Sequence, residues 1–143
     1  MAAYAVQSDM VNLYGLNEVT ICSDWDSVGT IQPINITNSL QAASSLMDRY
    51  IAVRYAVPLT VVPDDLIRVC CDIGMYLMCP AAGTISEQKQ KRYDQAMAFL
   101  KDLSSGKATL GAQQDEEVAA VTADIQNYGP PRALTRESMR RVL

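Results

Sequence analysis

Between Pro63 and Pro80 lies the most apolar segment of the chain, and it constrains the fold more than any other feature. Because proline interrupts a helix, the two prolines bound a helix over about residues 64–79. Only Arg68 and Asp72 interrupt its apolar run after two starting aspartates, which suit the positive end of the helix dipole. A helix that is apolar on nearly every side has to be covered by other helices. Arg68 and Asp72 are four residues apart, so we expect them to form an ion pair.

The sequence RYAVPL, residues 54–59, predicts an elbow in front of that helix. A long amphipathic helix is predicted to begin at Thr37 and to end by about Ala56, because Pro58 biases its predecessor away from helical geometry. Pro58 and Pro63 then stiffen a short apolar connector. We expect Arg54 and Tyr55 either to lock the elbow through hydrogen bonds or to contact a neighbouring subunit, with the locking role favoured because helix ends leave carbonyl groups that an arginine can satisfy.

Three further helices are predicted around these two. Short helices are expected over residues 8–14, ended by Gly15, and over residues 16–22, and a long one is expected from Ser86 to a C-cap at Gly106. The intervening segment 23–36 is predicted to be a loop. Its apolar residues alternate well enough to suggest a small hairpin: Val28, Ile31, Ile34 and Ile36. The predicted fold class is all-α, a small antiparallel bundle of about four helices with an extended C-terminal arm.

The composition changes after Gly111, which divides the chain into a helical domain, 1–111, and an arm, 112–143. Residues 112–127 carry acidic side chains and no basic one, whereas residues 130–143 carry two prolines and four arginines. We interpret the arm as extended or disordered in isolation and as docking on a partner, while Leu110 folds back onto the domain. The candidate docking residues are Arg132, Arg136, Met139, Arg140, Arg141 and Leu143.

The residue types present argue against catalysis. The chain has no histidine, which excludes Ser-His and Cys-His nucleophilic sites, and its carboxylates are scattered rather than paired. We therefore expect no enzyme activity and no cofactor. The net charge of −4 argues against a dedicated nucleic-acid-binding protein, and no apolar run is long enough to span a membrane, so we expect a soluble, intracellular protein. The four cysteines match no metal or redox spacing and are predicted to be buried apolar residues in a reducing compartment.

Two short motifs resemble binding sites. DWDSVG, residues 24–29, resembles the start of a calcium-binding EF-hand loop, but Val28 and Asn35 stand where oxygen ligands are required. We therefore expect a polar turn and no metal site. The basic run KQKR, residues 89–92, is typical of a solvated helix face, with contact to phosphate as the alternative.

Four motifs in this order resemble the Mu-like bacteriophage head–tail joining family over about residues 4–111. They are YAVQSDMVNLYGLNEV, the acidic loop DWDSVG, MDRYIAVRYAVPL with PDDLIRVCCDIGMYLM, and KRYDQAMAFLKDLSSGKATLG. The RYAVPL elbow and the KRYDQAMAFLKDLSSGKATLG run carry the most specific parts of the resemblance. The chain departs from the family pattern in its degraded acidic loop and its long arm after Gly111, for which the pattern gives no residue-level guide.

The resemblance implies a neck adaptor of the virion, made in the cytoplasm of a bacterial host and placed between capsid and tail. Such adaptors form a ring, expected here to be dodecameric, that binds the portal protein on one side and a tail-side neck or tail-terminator protein on the other. DNA would pass through the lumen without specific contacts, and no membrane is involved. Within the ring, the elbow residues Arg54, Tyr55, Pro58 and Leu59 would hold the fold or contact the next subunit.

Two other functions remain open at this point. The chain could be a stopper or tail-terminator component, which is a different ring in the same assembly. It could also be a free-standing helical regulator that binds one protein through its arm. A monomer at every concentration, with no affinity for a portal ring, would indicate the regulator.

Overall fold

The computed structural model describes residues 3–79 and 85–111, and these ranges contain five helices and no strand. The helices are α1 (Gln7–Tyr14), α2 (Leu16–Ser23), α3 (Pro33–Ile51), α4 (Asp64–Met78) and α5 (Glu87–Ser105). The prediction of a small all-α fold is confirmed. The arm, 112–143, lies outside the described residues, as do Pro80 and Gly83 after α4.

Helix α4 is the centre of the domain, as its composition predicts. It contacts each of the other four helices, and most of its side chains are buried. Asp64 and Asp65 occupy its first turn, where carboxylates interact favourably with the helix dipole. Gly74 lets neighbouring helices approach closely, since a Cβ atom there would lie 3.1 Å from the Leu40 side chain and 3.2 Å from that of Met10.

Helices α3 and α5 both run antiparallel to the central α4, so the bundle has two distinct ends. Ser44 of α3 contacts Cys70 of α4 with their side-chain oxygen and sulfur 3.5 Å apart, and the ring of Tyr76 on α4 stacks on Tyr93 of α5 at 4.2 Å. The Trp25 end contains the last turns of α2 and α4 and the first turns of α3 and α5. The elbow end contains the connector 52–63 and the segment 106–111 after α5. Helices of this length separate the ends by about 25–30 Å.

The start of α3 differs from its prediction, and the predicted hairpin is wrong. Proline occupies the first helical position of α3, where it has no N–H to leave unpaired and its fixed φ angle suits the helix. The helix therefore begins at Pro33 rather than at Thr37, and it includes Ile34 and Ile36, two of the four residues assigned to the hairpin. The signal was present in the sequence, since proline is favoured at the first position of a helix.

The ion pair predicted between Arg68 and Asp72 is also wrong. The Asp72 carboxylate accepts a hydrogen bond of 2.6 Å from the Tyr14 hydroxyl, and one of its oxygens lies 3.9 Å from Nη1 of Arg92. Spacing along α4 predicted a local pair, but α1 and α5 supply closer partners across the bundle. Among the described residues, no helix is long and apolar enough to cross a membrane.

Candidate interaction surfaces

The elbow is held by contacts from the segment after α5. Tyr55 is buried, and its hydroxyl oxygen accepts a hydrogen bond of 3.2 Å from the backbone N–H of Leu110. Leu110 packs against the core, which confirms that it folds back onto the domain. Leu59 also packs against the core, whereas Pro58, after a cis peptide bond, is exposed.

Arg54 packs on the end of α5. Gly106 caps this helix in the left-handed conformation, as predicted, with φ 85°. A Cβ atom at Gly106 would lie 3.2 Å from Nη1 of Arg54, so the guanidinium rests directly on the glycine backbone. Nη1 is buried and has no hydrogen-bond partner within the described part of the chain. The hydrogen bond that closes the elbow therefore comes from Tyr55, and a contact of Arg54 with another subunit stays a prediction.

Exposed valines surround the elbow. Val53, Val57 and Val61 all lie in the connector between α3 and α4 and leave much of their side chains exposed. Side chains of this kind gain free energy when another surface removes them from water. The elbow end therefore offers an apolar surface, which we call the valine surface.

The opposite end exposes a second apolar set around the single tryptophan of the chain. The Nε1–H of Trp25 lies within hydrogen-bond distance of two carbonyl oxygens, at 3.1 Å from that of Cys22 and 3.0 Å from that of Met78. The indole is thus fixed on the ends of α2 and α4, yet Trp25 remains 53% exposed. Further exposed apolar residues in the segments at this end are Ile21, Val28, Ile34 and Leu77. Together with Trp25 they form the tryptophan surface.

The acidic motif beside Trp25 forms the predicted polar turn. The two carboxylate oxygens of Asp24 accept hydrogen bonds from the backbone N–H groups of Val28 and Gly29, at 2.9 and 2.6 Å. The Asn35 side chain donates to the carbonyl oxygen of Ser23 at 2.8 Å. These polar groups therefore hold the loop onto α2 and α3. No cluster of three or more metal-ligating side chains occurs in the ranges 3–79 and 85–111.

The prediction that KQKR is a solvated face is wrong for two of its residues. Lys89 is only 7% exposed, and its Nζ lies 2.5 Å from a carboxylate oxygen of Glu18 on α2. Arg92 is half-buried, with its guanidinium carbon 4.9 Å from the centre of the Tyr14 ring. Lys91 is exposed, as a solvated face requires. The two inward residues are three apart and face α1 and α2.

Lys89 also contacts two thiols, and this cluster was not predicted. All four cysteines are buried, as expected, and form no disulfide with one another, but Cys22 and Cys79 converge with their sulfur atoms 2.8 Å apart. Nζ of Lys89 lies 3.1 Å from the Cys22 sulfur and 3.8 Å from that of Cys79. We call Glu18, Cys22, Cys79 and Lys89 the thiol–lysine cluster. Spacing gave no signal for it, because its members are brought together only by packing at the Trp25 end.

The cluster changes the acidity of its members. The hydrogen bond from Cys79, followed by that from Lys89, overcomes burial and lowers the pKa of Cys22 to about 6. Burial alone would lower the pKa of Lys89, but hydrogen bonds to Glu18 and Cys22 outweigh it and raise this pKa to about 12. Lys89 is therefore a cation at neutral pH, and Cys22 is largely a thiolate beside it.

The candidate docking residues of the arm lie outside the described residues. This applies to Arg132, Arg136, Met139, Arg140, Arg141 and Leu143, whose role stays a prediction. The valine and tryptophan surfaces, by contrast, were not identified from the sequence. Trp25 offered the clearest signal, because a lone tryptophan in a polar loop is a common centre of a protein–protein contact.

Comparison with known proteins places the chain among phage proteins. The family model described as "Bacteriophage Mu, Gp36" matches residues 4–126, which extends beyond the boundary at Gly111 suggested by composition. The chain is similar to the Mu-like prophage FluMu protein gp36 of Haemophilus influenzae, with 28% identity over 117 residues that cover 82% of each chain. It is also similar to gene product J of Escherichia phage Mu, with 33% identity over 100 residues, 69% of this chain and 70% of the relative.

Proposed function

Because this chain belongs to the bacteriophage Mu Gp36 family and is thus a protein of a Mu-like phage, we propose that it is the head-to-tail connector of the virion. Copies of the chain form a ring, of twelve subunits in this proposal, between the portal protein and a tail-side neck or terminator protein. DNA passes through the lumen. The role is structural rather than catalytic.

The structural observation that carries the proposal is the presence of an apolar surface at each end of the bundle. The valine surface and the tryptophan surface differ in their residues, and the three long helices separate them. A ring subunit makes head-to-tail contacts through two different surfaces, and a connector also binds different proteins above and below. A protein that acts alone gains nothing from two exposed apolar ends.

The charge of the chain is consistent with DNA passage. Proteins that hold DNA neutralise phosphates with lysine and arginine, whereas this chain has 16 acidic and 12 basic residues. A lumen lined by such a surface offers few phosphate anchors, so DNA can slide. In this proposal, the arginines of the arm bind carboxylates of the portal protein; they are Arg132, Arg136, Arg140 and Arg141.

The direct test is the mass of the assembly in solution. The full-length chain and a chain shortened to residues 1–111 are measured by native mass spectrometry, alone and with rings of the portal protein from the same phage. We expect the full-length chain to join the portal ring at about one copy per portal subunit and the shortened chain to bind much less. If neither chain binds, the connector proposal is wrong. A monomer at all concentrations would then favour the regulator.

Point variants at the two ends test the proposed surfaces separately. Val53→Glu places a charge on the valine surface, and Ile34→Glu places one on the tryptophan surface, in the first turn of α3, where an acidic residue suits the helix. Gln95→Glu, on an exposed position in the middle of α5, is the matched control. We expect each surface variant, but not the control, to lower ring occupancy at least about tenfold, as expected for a buried charge at a contact.

Binding that persists with a tail-side neck protein, but not with portal rings, would indicate the stopper or terminator alternative. The two surface variants would then be tested against that partner. Circular dichroism and thermal unfolding of each variant distinguish a lost contact from a lost fold. Because both replaced side chains are exposed, the substitutions should reduce stability only slightly.

A further inference from the structure

We propose that the thiol–lysine cluster is a peroxide-reactive dithiol site, in which Cys22 and Cys79 form a reversible disulfide. The inference stands on their position: the thiol of Cys22 in α2 and that of Cys79, directly after α4, have their sulfur atoms 2.8 Å apart and are not joined by a disulfide. They are 57 positions apart in the sequence, and the fold holds them together before any bond forms. This proposal of a dithiol site does not depend on the connector proposal.

Cys22 is the thiol that attacks. Lys89 lies closer to its sulfur than to that of Cys79, at 3.1 Å against 3.8 Å, and Cys79 donates its S–H to Cys22. Both contacts stabilise the thiolate, which is the reactive form of cysteine, and they lower the pKa of Cys22 to about 6. The negative charge of Glu18 works against the thiolate and raises the pKa of Cys22. Glu18 also pairs with Lys89, however, and so holds the lysine in position beside Cys22.

The surroundings favour a small, uncharged oxidant. Cys22 and Cys79 are only 1% and 5% exposed, so a bulky disulfide cannot reach them in the folded chain. Lys89 and Glu18, however, line a cleft of about 300 Å³ together with Leu13, Tyr14, Gln88 and Arg92. Glu18 is partly exposed there, so a molecule of the size of hydrogen peroxide needs to pass only one ion pair.

The chemistry proceeds in two balanced steps. The Cys22 thiolate attacks one oxygen of hydrogen peroxide, the O–O bond breaks, and the leaving hydroxide takes a proton from solvent, which leaves a sulfenic acid on Cys22. The Cys79 sulfur then attacks the Cys22 sulfur, the S–O bond breaks, and the hydroxyl group leaves as water with the Cys79 proton. In total, two thiols and one peroxide give one disulfide and two waters. A thiol reductant reverses the oxidation.

The other two cysteines are the internal comparison. Burial raises the pKa of Cys70, and burial followed by the charges of nearby groups raises that of Cys71 to about 12. Both stay protonated at neutral pH and are poor nucleophiles. A disulfide at the cluster would tie the end of α2 to the end of α4, which closes a long loop and stabilises the domain.

The test treats the reduced full-length chain with graded hydrogen peroxide at pH 7, blocks the remaining thiols with iodoacetamide, and maps peptides by mass spectrometry without reduction. We expect a loss of about 2 Da and a linked pair of peptides whose fragmentation places the bond at Cys22 and Cys79. Cys70 and Cys71 should be alkylated only after denaturation. The thermal midpoint should rise by at least about 5 °C, and added dithiothreitol should restore it.

Variants separate a reactive pair from accidental oxidation. Cys79→Ser should stop the reaction at oxidised Cys22, while the control Cys71→Ser should still form the link. Lys89→Met should slow oxidation about tenfold at pH 7 and less at pH 9, and the wild-type rate should rise with a midpoint near pH 6. The wild-type profile keeps the test valid if a variant does not fold. Thiols that oxidise only after denaturation, a bond to Cys70 or Cys71, or a rate that rises only above about pH 8 would overturn the proposal.

Discussion

The two ends of the bundle are stabilised by different kinds of interaction. At the elbow end, a buried tyrosine closes the connector with one hydrogen bond to a backbone N–H, and Arg54 packs on the Gly106 backbone. At the Trp25 end, the buried Lys89 contacts a carboxylate and a thiol of α2 and the thiol of Cys79 after α4. The elbow contact involves no titrating pair, whereas the cluster does. The stability that each end contributes should therefore respond differently to pH and to oxidants.

The largest expected effect is the removal of the aromatic ring at the elbow. Tyr55→Ala deletes a side chain that is only 5% exposed and leaves a cavity, so the free energy of unfolding should fall by about 3–5 kcal/mol. Urea unfolding followed by circular dichroism measures it. Tyr50→Ala, in the last turn of α3 and only half-buried, should lose clearly less. A loss below about 1 kcal/mol for Tyr55→Ala would mean that the elbow is not part of the cooperative fold.

The second largest effect should be a pH dependence of the unfolding free energy that comes from the Trp25 end alone. The pKa of Cys22 is lowered to about 6 in the folded chain, against about 8.5 for an ordinary thiol. Between these values the unfolded chain binds more protons than the folded one, so this group's stabilisation is full above about pH 8.5 and is lost as the pH falls through 6. The unfolding free energy of the wild type, relative to Cys22→Ser, should therefore rise by about 2 kcal/mol from pH 6 to pH 8.

The unfolding free energies of all variants must be compared over the same pH range, from pH 6 to pH 8. Above pH 9 other groups enter with the opposite sign, because the raised pKa of Cys71 prevents a thiolate that the unfolded chain can form. Cys71→Ser is the matched control, and its difference from wild type should stay flat between pH 6 and pH 8. An equal pH dependence in Cys22→Ser and in wild type would show that Cys22 titrates normally.

The same contrast explains how much of the structure the sequence could predict. The elbow end depends on local signals, namely prolines that stop a helix, Gly106 that caps one, and Leu110 that follows at once in the chain. The Trp25 end depends on distant residues: Lys89 meets Glu18 and Cys22 across 71 and 67 positions, and spacing along one helix carries no information about such contacts. The prediction of a solvated KQKR face therefore failed, whereas the predicted C-cap at Gly106 and the return of Leu110 onto the domain are confirmed.

A smaller effect is expected from the carboxylate of the cluster. Glu18→Gln keeps the shape of the side chain but removes the carboxylate that pairs with Lys89. At pH 5 it should lower the free energy of unfolding by about 1–2 kcal/mol. At pH 8 the cost should be smaller, because the Cys22 thiolate then balances the ammonium group. Glu87→Gln, on an exposed position of α5, is the control. A cost that does not change with pH would contradict this pairing of lysine and thiolate.

The smallest effect isolates the hydrogen bond at the elbow. Tyr55→Phe keeps the buried ring and removes only the acceptor for the Leu110 N–H, so it should cost about 1 kcal/mol. Because this bond contains no charged group, the cost should be the same at pH 6 and pH 8, unlike that of any change in the cluster. Amide hydrogen exchange gives an independent measurement, since the Leu110 N–H should lose protection in the variant while amides of α4 keep theirs. A pH-dependent cost would mean that the two ends are coupled through α4, which packs against both.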